Sequence, residues 1–217
     1  HPYGYTILGT RDSVGTLTAE HVRAHHEGTF RPGNMVMSLA GNVEHESVCR
    51  LLLEAAWGEA SGPEARGSAR PAAQPPRSVP PSATHVVRDS HQAHIVFGST
   101  TIPMADPTRP AFLVVSTLLG AGMSSRLFQR IREELGLAYS VYGFQSLNSD
   151  VGVHGVYVGT GPETADKARR AVTDELQRLV DSGVGEEELA VGRQQLVGQY
   201  LLSLESTGSR MHRIAAS

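Results

Sequence analysis

The chain has 217 residues and a mass of 23.2 kDa, which is room for one large domain or one and a half average ones. At 40% apolar and 19% charged it reads as a soluble globular protein with enough core to fold without staples, and its one cysteine, Cys49, excludes an internal disulfide framework and a cysteine-rich zinc site. A net charge of -3 at pH 7 gives no electrostatic footprint for nucleic acid, and no apolar run approaches the roughly 20 residues that a membrane span requires.

The chain opens on His1 without a leader, and Met211 to Ser217 still read as helix interior, so it looks cut at both ends. Thr18 to about Glu27 is expected to be a helix terminated by Gly28, followed by a turn at Arg31 to Asn34 and a strand at Met35 to Ala40. Val48, Leu51, Leu52, Ala55 and Ala56 then predict one buried helical stripe ending near Trp57. These elements hold too little core to stand alone and look like the closing part of a larger αβ domain, residues 1–58. Between Glu59 and Thr84 the apolar periodicity stops and six of the twelve prolines gather with Gly, Ser and Ala, which predicts an extended linker over 59–84.

The remainder, 85–217, begins with extended segments at His85 to Arg88 and Gln92 to Ser99. Pro110 to Leu119 reads as a buried helix, and a second helix runs from Ser124 or Ser125 to about Leu135, with Gly136 placed to adopt the left-handed conformation that ends it. Ala138 to Leu147 and Val151 to Val158 form a hairpin around Asn148 to Asp150. Thr160 and Glu163 have capping-box spacing, with Pro162 in the first turn, and Ala165, Ala168, Val172, Leu176 and Leu179 define the next core stripe. A last helix starts near Glu186 and is still running at the terminus. The order of elements predicts an α+β fold with an antiparallel-rich sheet and helices on one face.

The ten histidines raise the question of a metal. His21 and His25 lie four apart on a predicted helix, but Val22, Arg23 and Ala24 fill the positions between them, so the H-E-x-x-H and H-x-x-E-H frames are both absent and a solvated or packed helix face is favoured. His45, between Glu44 and Glu46, opens a helix where acidic groups suit the dipole. His91 and His94 are three apart on an extended segment and point to opposite faces. Gly120-Ala121-Gly122 lacks the third glycine of a dinucleotide fingerprint and reads as a tight turn. Cys49, with Arg50 pointing away from it on the helix, reads as packing.

What stands out is Ser124 to Gln129, then Arg132, then Gly136-Leu137-Ala138-Tyr139-Ser140-Val141-Tyr142: a helix that ends in glycine and enters a strand at once. Such a junction can bring an arginine from the last turn near a tyrosine from the strand start, offering donors to peptide carbonyls and to a developing oxyanion. On residue types alone, Arg132 paired with Glu133, Glu134 or a distant carboxylate, and Tyr139 half-buried on the sheet, is the favoured reading.

These segments resemble the pitrilysin and insulinase superfamily of zinc metallopeptidases, most closely its bacterial and mitochondrial processing-peptidase branch. The resemblance is carried by His1 to Gly4, Ile7 to Thr10, Arg31 to Met35 and Ala40 to Val43, and more specifically by Gln92-Ala93-His94, Leu119 to Phe128 and Arg132 through Tyr139. It implies two similar αβ domains that close like a clamshell on an extended peptide. Residues 1–58 would end the zinc-bearing domain, 59–84 would link, and 85–217 would form most of its inactive companion. In that family two histidines of H-x-x-E-H and a later glutamate hold zinc; no such motif occurs here, so the resemblance implies zinc in the parent protein and no zinc ligand in this segment.

What the resemblance carries over is the arginine and tyrosine pair, seven residues apart, matched by Arg132 and Tyr139. The implied roles are substrate contact by Arg132 and a hydrogen bond from Tyr139 to the scissile carbonyl or oxyanion. The implied activity is zinc-dependent cleavage of extended peptides, unfolded proteins or presequences by the parent protein, this chain being inactive alone, with a homodimer or a heterodimer with a related subunit as its assembly. The alternative is a non-catalytic subunit of the same superfamily that binds peptides and serves complex assembly.

Overall fold

A computed structural model describes residues 4–31, 34–55 and 81–216. The chain divides into two units, His1–Gln74 with Leu201–Ser217, and Pro75–Tyr200. Most of the expected linker, with Ala56, Trp57 and part of the Arg31 to Asn34 turn, lies outside the described residues.

The first unit contains α1 (Arg11–Gly15), α2 (Ala19–Thr29), α3 (His45–Glu54) and α7 (Thr207–Ala216). Thr10 and Thr18 cap α1 and α2, each accepting from the backbone N–H three residues on. Gly28 does not terminate α2, which runs one residue further to Thr29. Its φ is not positive, so it is an ordinary helical residue. No strand forms over Met35 to Ala40, because a strand needs a second one to satisfy its backbone and the described residues of this unit provide none. The α3 stripe is present but not buried: Leu51 is 62% exposed, and none of the four helices has a buried residue.

The second unit carries β1 (Ala93–Thr101), α4 (Arg109–Gly120), a π-helical segment (Phe128–Glu134), β2 (Ser140–Leu147), β3 (Gly152–Thr160), a short 3-10 turn (Pro162–Thr164), α5 (Ala165–Ser182) and α6 (Glu186–Ser203) up to Tyr200. The sheet is antiparallel with order β1-β3-β2, the β2–β3 hairpin being closed by Asn148 N–H donating to Val151 O at 3.0 Å. His85 to Arg88 does not join it.

Alternation on β3 divides the sheet. Val156 and Val158 are buried and pack with Leu119, Leu127, Ile131, Val141, Ala168 and Val172, so α4, the π-helical segment and α5 cover one face. Burying a side chain of this kind is worth about 1.5–3 kcal/mol, which makes this layer the source of the unit's stability. Tyr157 between the two valines belongs to the opposite face, with Val96 and Tyr142 beside it in the register.

Two further expectations are corrected. Thr160 does not cap the helix: it ends β3 fully buried, its hydroxyl donating to Leu137 O at 2.5 Å, and the turn that follows has no side-chain cap. The final helix is not continuous either. It stops at Ser203 and restarts at Thr207, where the Ser206 hydroxyl accepts from Ser209 N–H at 3.3 Å as a new N-cap.

Arg126 ties three elements together. It donates to both Glu188 oxygens at 2.6 and 2.5 Å and to Gly183 O at 2.9 Å, with Glu175 at 4.0 Å. The guanidinium holds the Glu188 carboxyl below the usual carboxylate range. A carboxyl depressed on folding contributes stability that is present above its unfolded value and is lost as pH falls through the folded one. Glu188→Gln is therefore expected to destabilise the protein by about 1 kcal/mol at neutral pH, the gap from wild type closing in acid, as read from unfolding midpoints at each pH.

Candidate functional site

The junction between the π-helical segment and β2 is fixed by its backbone. Leu135 N–H donates to Arg130 O at 3.2 Å, the five-residue step of a π turn, and Leu137 N–H donates to Ile131 O at 2.9 Å. Gly136 between them has φ +59°, the left-handed conformation that glycine adopts without a Cβ penalty. Thr160 then holds Leu137 O, and Tyr139 N–H donates to Gly159 O at 2.8 Å. The strand side of the turn is thus anchored to the end of β3, and its helix side is closed on Arg130 and Ile131.

Arg132 and Tyr139 flank this anchored turn. The Arg132 guanidinium carbon lies 4.9 Å from the ring centroid of Phe128, which itself packs on the core. Such a cation–π contact is worth about 0.5–1 kcal/mol at an exposed site, enough to bias the side chain's direction. Its Nε is 4.0 Å from Glu133, the outer limit of an ion pair, while Glu134 is taken by Arg130 at 2.6 Å. Tyr139 is 60% exposed rather than half-buried. Neither the Arg132 side chain nor the Tyr139 hydroxyl makes a hydrogen bond among the described residues, to each other or to anything else, so both present uncommitted donors to solvent.

Beside the junction lies the exposed sheet face. His94 Nδ1 and the Tyr157 hydroxyl are 2.7 Å apart, and the Tyr157 and Tyr142 rings stack with centroids 4.9 Å apart. On the sequence, His94 enters as a candidate metal ligand and in the resemblance at Gln92-Ala93-His94, and Tyr142 ends the segment that stands out, but Tyr157 has no role; the alternation of Val156, Tyr157 and Val158 was the available signal.

Three of the other histidines are engaged locally. The His21 ring accepts from Thr18 N–H at 3.4 Å, His26 stacks on Phe30, and His45 Nε2 is 3.4 Å from the Cys49 sulfur. Among the described residues no three His, Cys, Asp or Glu side chains converge as a metal site would require. These residues do not fit zinc. Nor is any described helix long and apolar enough to cross a membrane.

A cavity of about 330 Å³ lies between the end of α4, the loop after it and α6. Four of its polar side chains are already committed: Thr117 to Leu113 O, Ser125 to Gly122 O, Gln195 to Ala121 O and Glu188 to Arg126. In the loop beside it Gly122 has φ +93°, while Gly120 packs on Gly143 of β2.

Comparison with known proteins gives one consistent family. The family described as the peptidase M16 inactive domain matches residues 16–196. An uncharacterized zinc protease of Streptomyces coelicolor is 38% identical over 99% of this chain and 47% of its own length, and one of Mycobacterium tuberculosis is 35% identical over 100% and 49%. The chain spans about half the length of these curated relatives. A crystal structure of a peptidase M16 inactive domain from Pseudomonas fluorescens superposes with TM-score 0.87 at 24% identity, over 100% of this chain and 51% of that one, a likeness of fold.

Proposed function

The chain belongs to the M16 peptidase family, through that family's inactive domain, and we propose that its parent is a zinc metalloendopeptidase acting on extended peptides or presequences. In this reading residues 1–58 end the zinc-bearing domain, 59–84 link, and 85–217 form the companion that contacts substrate. The metal belongs to residues outside this chain, whose described side chains do not form a zinc site.

The observation that carries the proposal is the pair of uncommitted donors on an anchored junction. Arg132 holds the peptide main chain or an acidic side chain. The Tyr139 hydroxyl donates to the scissile carbonyl and follows it as negative charge develops on its oxygen. Gly136, Thr160 and Gly159 fix the backbone where Tyr139 enters the strand, and Phe128 biases the direction of Arg132, so the place of both donors is set before substrate arrives, which limits reorganisation.

In the intact protein, Arg132→Ala is expected to raise KM for an extended peptide about tenfold, with the unfolding midpoint unchanged, as a lost charge-assisted contact of about 1.4 kcal/mol would do. An unchanged KM and kcat in that variant defeats the role assigned to Arg132. Peptide binding by the intact protein without any zinc-dependent turnover selects the non-catalytic subunit instead, working as a homodimer or with a related subunit.

A further inference from the structure

We propose that the Tyr157 hydroxyl, positioned by His94 over Gly159, is a second contact for the main chain of the bound peptide; this rests on the peptide-binding reading above. The register puts His94 opposite Gly159 on one side and Ser140 opposite it on the other, so β1, β3 and β2 meet in one row at the end of the sheet where Tyr139 enters. Tyr139 N–H is bonded to this same Gly159.

Three constraints fix the hydroxyl. His94 Nδ1 holds it at 2.7 Å, and Tyr142 stacks on the ring at 4.9 Å. Beneath it glycine leaves the space the hydroxyl occupies: a Cβ on Gly159 would lie 3.1 Å from the Tyr157 oxygen and 2.9 Å from Ser140 Oγ, and one or both side chains would have to shift. Tyr157 is half-buried while its neighbours Val156 and Val158 are locked in the core, so the strand cannot rotate to hide it.

A tyrosine hydroxyl has one proton and two lone pairs, and His94 is its one hydrogen-bond partner among the described residues. When His94 accepts, the oxygen is left to accept from an N–H. When His94 donates, the O–H is left to donate to a C=O. An extended peptide backbone offers both groups in alternation and so satisfies either state. That makes it a better match than a ligand carrying donors or acceptors alone. Tyr157 is thus a substrate contact, and His94 a positioning residue that acts through it.

The test is equilibrium binding of a fluorescein-labelled, unstructured peptide to the intact protein, followed by anisotropy with turnover arrested by a chelator. Tyr157→Phe and His94→Leu are each expected to weaken binding about three- to tenfold, as loss of one hydrogen bond would, with unfolding midpoints unchanged. His94→Asn, which keeps a polar atom near the Nδ1 position, is expected to restore most of the affinity. Binding by Tyr157→Phe within about twofold of wild type overturns the proposal, as does failure of the wild type to bind or a loss of affinity that only follows loss of folding. Tyr157-dependent binding without zinc-dependent cleavage defeats the peptidase reading alone. Cleavage that depends on Arg132 and Tyr139 but not on Tyr157 defeats this proposal alone.

Discussion

Tyr139→Phe in the intact protein is expected to lower kcat about 10²- to 10³-fold for an extended peptide, the range seen when one oxyanion donor is removed. Tyr139 is 60% exposed and its oxygen has no hydrogen-bond partner among the described residues, while its place is held by main-chain bonds that phenylalanine keeps. Folding therefore loses nothing with the oxygen. A group that bonds more strongly to the developing oxyanion than to the ground-state carbonyl lowers kcat on removal and leaves KM nearly unchanged. Steady-state kinetics beside thermal unfolding checks both halves, and a variant with wild-type kcat excludes Tyr139 from the reaction.

Gly120→Ala is expected to destabilise the Pro75–Tyr200 unit by about 3 kcal/mol, although it adds a single methyl to a helix that ordinarily prefers alanine. A Cβ there would lie 2.3 Å from Gly143 N and 2.7 Å from Gly143 Cα, so it would strike backbone that cannot turn aside as a side chain can. The contact is where the end of α4 crosses β2, and relief would push β2 away from the core and carry the Tyr139 entry with it. The reciprocal change is the control. A Cβ on Gly143 would meet Gly120 Cα at 3.4 Å, close to ordinary contact, so Gly143→Ala is expected to stay within about 1 kcal/mol of wild type. Urea midpoints of the two variants measure the contrast; equal effects contradict the packing described here.

Local signals accounted for most of the second unit. The hairpin, the α5 stripe and Gly136 at the helix end could be read because alternation, 3.6-residue spacing and left-handed glycine act over a few residues. The first unit failed the same test for a physical reason. Met35 to Ala40 has the composition of a strand and α3 the stripe of a buried helix, but burial needs a partner, and among the described residues Leu51 remains 62% exposed. Thr160 was misread because two uses of a threonine compete: its capping spacing is local, whereas its bond to Leu137 O joins residues 23 apart.

The candidate site shows the same division. Residue types left Arg132 paired with Glu133, Glu134 or a distant carboxylate; the folded chain keeps Glu133 at 4.0 Å, gives Glu134 to Arg130 and lays Arg132 over Phe128. Likewise Arg126, which looked like part of the chemistry-bearing segment, is a clamp on Glu188, 62 residues away, with no signal in its own neighbourhood. The His94–Tyr157 pair spans 63 residues and depends on strand register, which no local pattern fixes.

In the division of labour proposed for this protein, this chain contributes substrate contacts and the metal chemistry belongs to residues outside it. The most direct measurement compares zinc-dependent cleavage of an extended peptide by this chain alone and by the intact protein at equal concentration. The account predicts turnover by the intact protein that a chelator abolishes and zinc restores, and none from the chain alone. Zinc-dependent turnover by these 217 residues without the rest of the protein would contradict it.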